Sequence, residues 1–416
     1  MGSQQSYDFS QFSNACEAKV CIKGIKSNTT KSASPSDRWL LTFIDNTTYE
    51  GAPIGQAFLK YWVSTKSAST LKTRALDYER WTYKHVIRKI VDSNICPNFV
   101  RYLTSAKNCT YNNIREIAEK SGTDPEIDEK LTRKILLKLL GIQRLEDNRQ
   151  DLTDHVKTIG FTLLITEFRT SDSFHALMYR LSPTSIIPQR IWTLMFQVCA
   201  ACYAMTLAGV AHNDLHSNNI LCEKIKKPQI VTYIIEDQTY TFSITEVARV
   251  FDFDRSYVKR LQPNMLLEGE LCESFGSCNT IVPTRDFVNF VGYVYRYYYN
   301  DDLLHMIAPK TEHRALFRQV YCQGTRMQRL DNTGKLEPLA ESEYEHTNSL
   351  PDMLAFIYGK LTKTTELSDA GHVYNCSENM FEPDGTIRRP QSSKRENQLL
   401  TREKNTMGNK RLKTTP

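Results

Sequence analysis

Nowhere in its 416 residues does this chain hold an apolar run approaching the roughly 20 residues that cross a bilayer. The longest, such as "FTLLITEF" and "FVNFVGYVY", fall well short, so no membrane span is expected. The N-terminus lacks the basic-then-apolar pattern of a secretory leader, and no internal repeat is visible. Cysteine forms no framework: eleven residues lie at irregular spacings, an odd number, which predicts reduced thiols in a cytoplasmic setting. Cys199 and Cys202 spell CxxC, but no second pair accompanies them and the surrounding pattern is apolar and helical, so they read as core. Composition is otherwise ordinary, with 40% hydrophobic and 24% charged residues. It allows a sizeable core in two or three domains or in one bilobal domain with insertions.

Excess positive charge is missing from most of the chain as well. The formal charge is +6, yet residues 386–416 hold nine Lys or Arg against two Glu, +7, leaving −1 for the rest. A sequence-specific nucleic-acid partner is therefore not expected. That tail is polar, free of aromatics and aperiodic, so it cannot bury enough apolar surface to offset ordering entropy. It is predicted to be disordered and suited to acidic partners. At the other end, "MGSQQS" sets Gly2 and Ser6 in the N-myristoylation pattern. No basic cluster follows to supply a second signal, so membrane contact through it is expected to be weak.

Between the ends, "KVCIKGI", "RWLLTFI" and "QAFLKYWV" read as short strands of an antiparallel sheet, separated by Ser/Thr/Asn-rich and Gly/Pro-containing breaks. Residues 71–92 place Leu76, Tyr83, Ile87 and Ile90 on one helical face. Glu79 falls on the same face, where a carboxylate needs a partner. A polar region from about 104 to 155 reads as an insertion with one helical piece, and "GFTLLITEF" as a buried strand. From Pro188 a helix keeps Ile191, Leu194, Met195, Val198, Cys202 and Met205 on one stripe and closes at Gly209. "QIVTYIIEDQTYTFSI" reads as a hairpin turning near "ED", and "VARVFDFDRS" as a strand running into an acidic cluster. "DFVNFVGYVYRYY" is helical, and the remainder to about 380 is mixed helix and loop.

The chemistry concentrates in "GVAHNDLHSNNIL", residues 209–221. Asp214 and Asn219, with Asp252 arriving at a later strand end, make an oxygen-rich set of the kind that holds Mg²⁺ together with substrate phosphates. Lys60, inside the apolar strand "AFLK", demands neutralisation, and Glu79 is available for it. Taken singly, Lys60 could instead snorkel from an edge strand, Glu79 could face solvent, and Asp252 or Asp254 could cap a turn. The ordered set is harder to explain so.

These residues carry a resemblance to protein kinases. "HNDLHSNN" resembles the catalytic loop H-x-D-L-x-x-x-N, "VFDFDRS" stands where D-F-G is expected, and "AFLK" resembles V-A-I-K, in the right order across residues 19–300, about two thirds of the chain. The implied fold is α+β and bilobal: a small antiparallel-sheet N-lobe with one main helix, and a mostly helical C-lobe. The implied layout is an N-terminal extension at 1–18, an N-lobe at 19–168 carrying the 104–155 insertion, a C-lobe at 169–380 and the tail at 386–416. The resemblance further implies ATP and Mg²⁺. Lys60 would hold the α- and β-phosphates and be fixed by Glu79; Asp214 would accept the proton of the substrate hydroxyl; Asn219 and Asp252 would hold the metal. Gly24 and Glu167 complete the implied nucleotide-binding set.

Departures are plain. Only Gly24 remains of the glycine-rich phosphate loop, followed by "KSNTTKSASPSDR". Asn213 replaces the arginine that meets a phosphorylated activation segment in regulated kinases, so dependence on such phosphorylation is not expected. His216 stands in place of the usual lysine, Asp254 in place of the D-F-G glycine, and no A-P-E element precedes "TRDFVNF", whose Asp286 would brace the catalytic loop. Such divergence resembles the kinase-like proteins of large cytoplasmic DNA viruses. The implied activity is a serine/threonine-directed protein kinase of the host cytoplasm or virion. A small-molecule phosphotransferase of the aminoglycoside or choline type shares the loop, and an inactive kinase-like scaffold would fit the eroded glycine loop.

Overall fold

The computed structural model describes residues 7–388 apart from 9–10, 13–14, 16, 18–20, 28–36, 46, 64–70, 120–159, 169–170, 182–185, 324–327, 331–335 and 363–370. Gly2, Ser6, the helical piece expected near 130–142 and the tail beyond 388 lie outside the described residues.

The first unit is a five-stranded antiparallel sheet of β1 (Ile22–Ser27), β2 (Asp37–Phe43), β3 (Gln56–Val63), β4 (Tyr102–Cys109) and β5 (Phe161–Glu167), in the order β1-β2-β3-β5-β4. Strand side chains alternate between faces. Accordingly Leu59, Tyr61, Leu163 and Ile165 enter one apolar cluster with Leu41 and Ile114. Phe58, Lys60, Leu164 and Thr166 look the other way, onto a cavity.

β4 runs on into the stretch read as an insertion. Its register against β5 runs from Tyr102↔Thr166 to Cys109↔Phe161, so the sheet reaches past 104, and the helix Tyr111–Glu119 follows. "TSAKNC" is too polar to announce a strand; its pairing with β5 holds it in place. Before β1, Tyr7–Asp8 pairs in parallel with Thr47–Tyr49, which ties part of the N-terminal extension to this unit.

Across the cavity face lies helix α1 (Leu71–Thr82), continued by a wide π turn at Tyr83–Ile87 and a last α turn at Arg88–Asp92. Leu76, Tyr83, Ile87 and Ile90 are all buried, as their spacing predicts.

The second unit is built around α2 (Gln189–Leu207). By length and composition alone this helix could cross a membrane, but 78% of its 18-residue apolar window is buried inside the fold. Burial goes round it rather than along one stripe: besides Ile191, Leu194 and Val198 it takes in Trp192, Phe196, Cys199 and Ala200. The reason is what surrounds it. The hairpin of β6 (Ile220–Ile235) and β7 (Gln238–Val250), the helix α3 (Arg285–Tyr298) and the helix α4 (Leu350–Lys360) all pack against it.

Glu236 and Asp237 form the two-residue hairpin loop, where Glu236 takes a positive φ of 53°. Strand β8 (His372–Asn375) adds to β6 in parallel, in a region expected to be helix and loop. The backbone of Arg388 donates to Met380 O, so the chain is still pinned at the start of the stretch read as a tail.

A buried polar knot joins the two units. Asn98 Nδ2 donates to Gln197 Oε1 (2.9 Å) and Ala248 O (3.0 Å), while Tyr233 donates its hydroxyl to Asn98 Oδ1 at 2.9 Å. Buried polar groups need such partners, and a satisfied network fixes one arrangement. Beside it Val100 N donates to Val250 O and Val250 N to Asn98 O, which fixes where β7 ends and where Phe251 and Asp252 begin. The architecture is thus the expected α+β one, a small antiparallel sheet with one main helix beside a mostly helical unit.

The expectation of reduced thiols fails at one place in the second unit. Cys272 and Cys278 are disulfide-bonded, their Cα atoms 4.5 Å apart, because the helix Glu270–Phe275 turns back at Gly276 with a φ of +65°. Cys109 is disulfide-bonded as well. Cys199 and Cys202 are free and fully buried, and burial raises both thiols well above their ordinary range, as befits core.

Candidate active site

Lys60 reaches the cavity because β3 must turn Leu59 and Tyr61 toward the opposite apolar cluster. Its Nζ donates to Glu79 Oε2 at 2.6 Å and to Asp252 Oδ1 at 3.0 Å. Glu79 is only 2% exposed, so the carboxylate that the sequence placed on a buried helix face has found its cation. Three segments distant in sequence meet at one ammonium group.

The polar loop follows α2. Gly209 takes a positive φ of 67°, and Val210–Ala211 then pairs antiparallel with Tyr257–Val258. His212 is fully buried: its Nε2 donates to Phe251 O at 3.0 Å and its ring lies 4.9 Å from that of Phe253. Phe253 in turn meets Tyr83 of the π turn edge-on at 5.1 Å.

Asp286, in the first turn of α3, accepts from two successive backbone N–H groups, those of His212 at 2.6 Å and Asn213 at 2.8 Å. Asn213 sits at a φ of 61°, a region Asn tolerates better than most residues. Its side chain donates to Cys278 O and its carbonyl accepts from Ser277 Oγ, so the disulfide loop braces Asn213.

Asn219 closes the loop. Its Nδ2 donates to Asp214 O at 3.0 Å, while its backbone carbonyl accepts from Phe251 N at 3.1 Å. The amide nitrogen is thereby committed to the loop, and the amide oxygen is the atom left to act as a ligand. Asp252 adopts the left-handed conformation (φ 71°, ψ 69°) that turns the chain out of β7.

Asp214 accepts from Arg255 Nη1 at 3.0 Å, and His216 Nε2 stands 3.8 Å from its other oxygen. Burial, opposed by Asp214, lowers the His216 pKa below its ordinary value.

Asp254 is half-buried, and burial together with the charge of Asp252 pushes its pKa up to about 7. The sign follows from linkage: a carboxyl whose folded pKa exceeds its unfolded value penalises the fold increasingly as pH rises between the two, and fully above the folded one. Asp254→Asn is therefore expected to raise the melting temperature more at pH 8 than at pH 5.5. An equal shift at both would show that Asp254 ionises normally.

Lys60, Glu79, Asp252 and Glu167 line a single cavity of about 220 Å³, walled by apolar groups such as Phe58, Val100 and Leu221. Neither Asp214 nor Asn219 lines it, but both connect to it, Asn219 through its carbonyl bond to the lining residue Phe251 and Asp214 through Asn219. Gly24 does not: it lies on β1, paired with Thr42 two strands from β3, and is not among the lining residues. Sequence reasoning missed the apolar wall, which looked like ordinary strand core. It also missed Arg255, whose only signal is a cation placed directly after Asp-Phe-Asp.

No family model and no curated protein matches the chain. Among solved structures it is similar to the crystal structure of the PF14_0431 kinase domain, at 14% identity and a TM-score of 0.31, over 58% of this chain and 52% of that one. The chain thus spans about half the length of that structure.

Proposed function

We propose that this protein is a phosphotransferase that moves the γ-phosphate of Mg-ATP to hydroxyl groups of protein substrates, as a serine/threonine kinase of divergent viral type. The observation that carries the reading is the junction of Lys60 with Glu79 and Asp252 on the wall of one cavity, with the Asp214–Asn219 loop bonded to the same strand end.

The donor set fits the substrate and the metal. Among the described residues no cluster of three or more His, Cys, Asp or Glu forms an all-protein metal cage. Mg²⁺ does not need one, since it is commonly held by one or two carboxylates plus substrate phosphates. Asp252 and the amide oxygen of Asn219 supply hard oxygen ligands, and the ion, when bound, neutralises phosphate charge. The apolar wall suits a flat heterocycle, and Lys60 suits phosphate oxygens. Asp214 then orients the acceptor hydroxyl and takes its proton, while Asp286 holds the loop that carries it. Catalysis of this kind is positioning and fixed charge.

The test is transfer of labelled γ-phosphate from Mg-ATP to generic protein substrates and to the chain itself. Labelled protein supports the reading. ADP release that depends on small alcohols or amines, without protein labelling, replaces it with a metabolite phosphotransferase. Failure to bind ATP leaves the scaffold.

A further inference from the structure

We propose that Arg255 is a catalytic residue whose guanidinium holds the phosphoryl group during transfer; the inference rests on the phosphotransferase reading and adds a residue to it. The geometry starts from Asp214, whose Oδ1 accepts from Arg255 Nη1 at 3.0 Å with both side chains partly open, Arg255 27% and Asp214 21% exposed. A carboxylate that takes the proton of an attacking hydroxyl lies beside the phosphorus being attacked. A guanidinium in contact with that carboxylate is therefore within reach of the phosphoryl oxygens. The contact to Asp214 uses one of five N–H donors, and the planar fork can bridge a carboxylate and a phosphate at once.

Charge placement points the same way. Asp214, Asp252, Asp254 and Glu79 all border the site, and Lys60 is committed to Glu79 and Asp252 on the cavity wall. On the loop side, Arg255 is the cation bonded to Asp214, and position 216 carries histidine rather than lysine. The Arg255 guanidinium thus offsets the carboxylate charge beside Asp214, where a phosphoryl group would arrive.

Arg255 is also held still. It ends the short 3-10 turn Phe253–Arg255, anchored by fully buried Phe253, by Ser256 Oγ donating to Phe253 O at 2.8 Å and by Asn264 Nδ2 donating to Asp254 O at 2.9 Å. Donors fixed before the reaction cost no reorganisation during it.

In the step itself the acceptor oxygen forms a bond to Pγ and the bond from Pγ to the β–γ bridging oxygen breaks. ADP leaves with that electron pair, and the hydroxyl proton passes to Asp214. Arg255 donates hydrogen bonds to the equatorial oxygens and is unchanged at the end.

The experiment measures single-turnover transfer from Mg-ATP, and affinities for Mg-ATP and Mg-ADP, in wild type, Arg255→Ala, Arg255→Gln and Arg255→Ala/His216→Lys. Arg255→Gln keeps a hydrogen-bond donor for Asp214 without the charge, so it reports even if the alanine variant folds poorly. The expected result is transfer slowed on the order of 100-fold or more. Mg-ADP affinity stays the same, the preference for ATP over ADP falls, and His216→Lys restores part of both losses. Transfer and ATP preference both intact in the Ala and Gln variants would overturn the inference while leaving the phosphotransferase reading in place, Arg255 being then only an ion-pair partner. A wild type that binds nucleotide without transferring it is still decided by the ATP-to-ADP preference. A wild type that binds neither nucleotide overturns both readings.

Discussion

Asp214→Asn is expected to slow phosphoryl transfer on the order of a thousandfold or more, because the amide can orient a hydroxyl but cannot take its proton at neutral pH. The substitution is nearly isosteric. Asp214 O, which accepts from Asn219, belongs to the backbone and is untouched, and the ion pair with Arg255 is partly exposed. Exposed pairs contribute little to stability, so the melting temperature should scarcely move. Loss of transfer with an unchanged melt assigns the loss to chemistry. An unchanged rate would remove Asp214 from the reaction.

Lys60→Met should be costly in two separable ways. It takes the Lys60 cation away from the buried Glu79 carboxylate, and losing one partner of a buried pair destabilises by about 3–5 kcal/mol. It also removes the charge that faces the cavity, so transfer should fall by a factor on the order of a thousand. Neutralising the other partner separates the two effects: Lys60→Met/Glu79→Gln should recover most of the stability in a urea melt and none of the transfer. If the double variant is no more stable than the single one, the pair is not the electrostatic unit the geometry describes.

Much of this site can be read from residue type and order. Asp214, Asn219 and Asp252 are polar residues framed by apolar anchors, and Lys60 and Glu79 are charges on faces that must be buried, so each announced a need for a partner. Asp286 was legible as the residue that would brace the loop, and its two backbone bonds are there. What stayed hidden depends on tertiary proximity. "TSAKNC" becomes a strand only beside β5. Cys272 and Cys278 meet only because Gly276 reverses the chain, and no spacing rule distinguishes them from the free cysteines. Arg255 carries no partner in its local sequence, and only the turn after Asp252 sets it against Asp214. The stretch that would cover the phosphates, 28–36, lies outside the described residues.

The wide turn at Tyr83–Ile87 makes chain length a determinant of the site in its own right. Each residue of an α-helix advances the side-chain direction by about 100°, and the wide turn absorbs surplus length without breaking the run. Losing one residue there would return the run to plain α-helix with its flanks in register, whereas losing a second would rotate Leu71–Thr82 by that angle against Arg88–Asp92. With Ile90 still seated in the core, Glu79 would swing away from Lys60. A two-codon deletion in that turn would silence the site as surely as replacing Glu79, with every catalytic side chain still encoded.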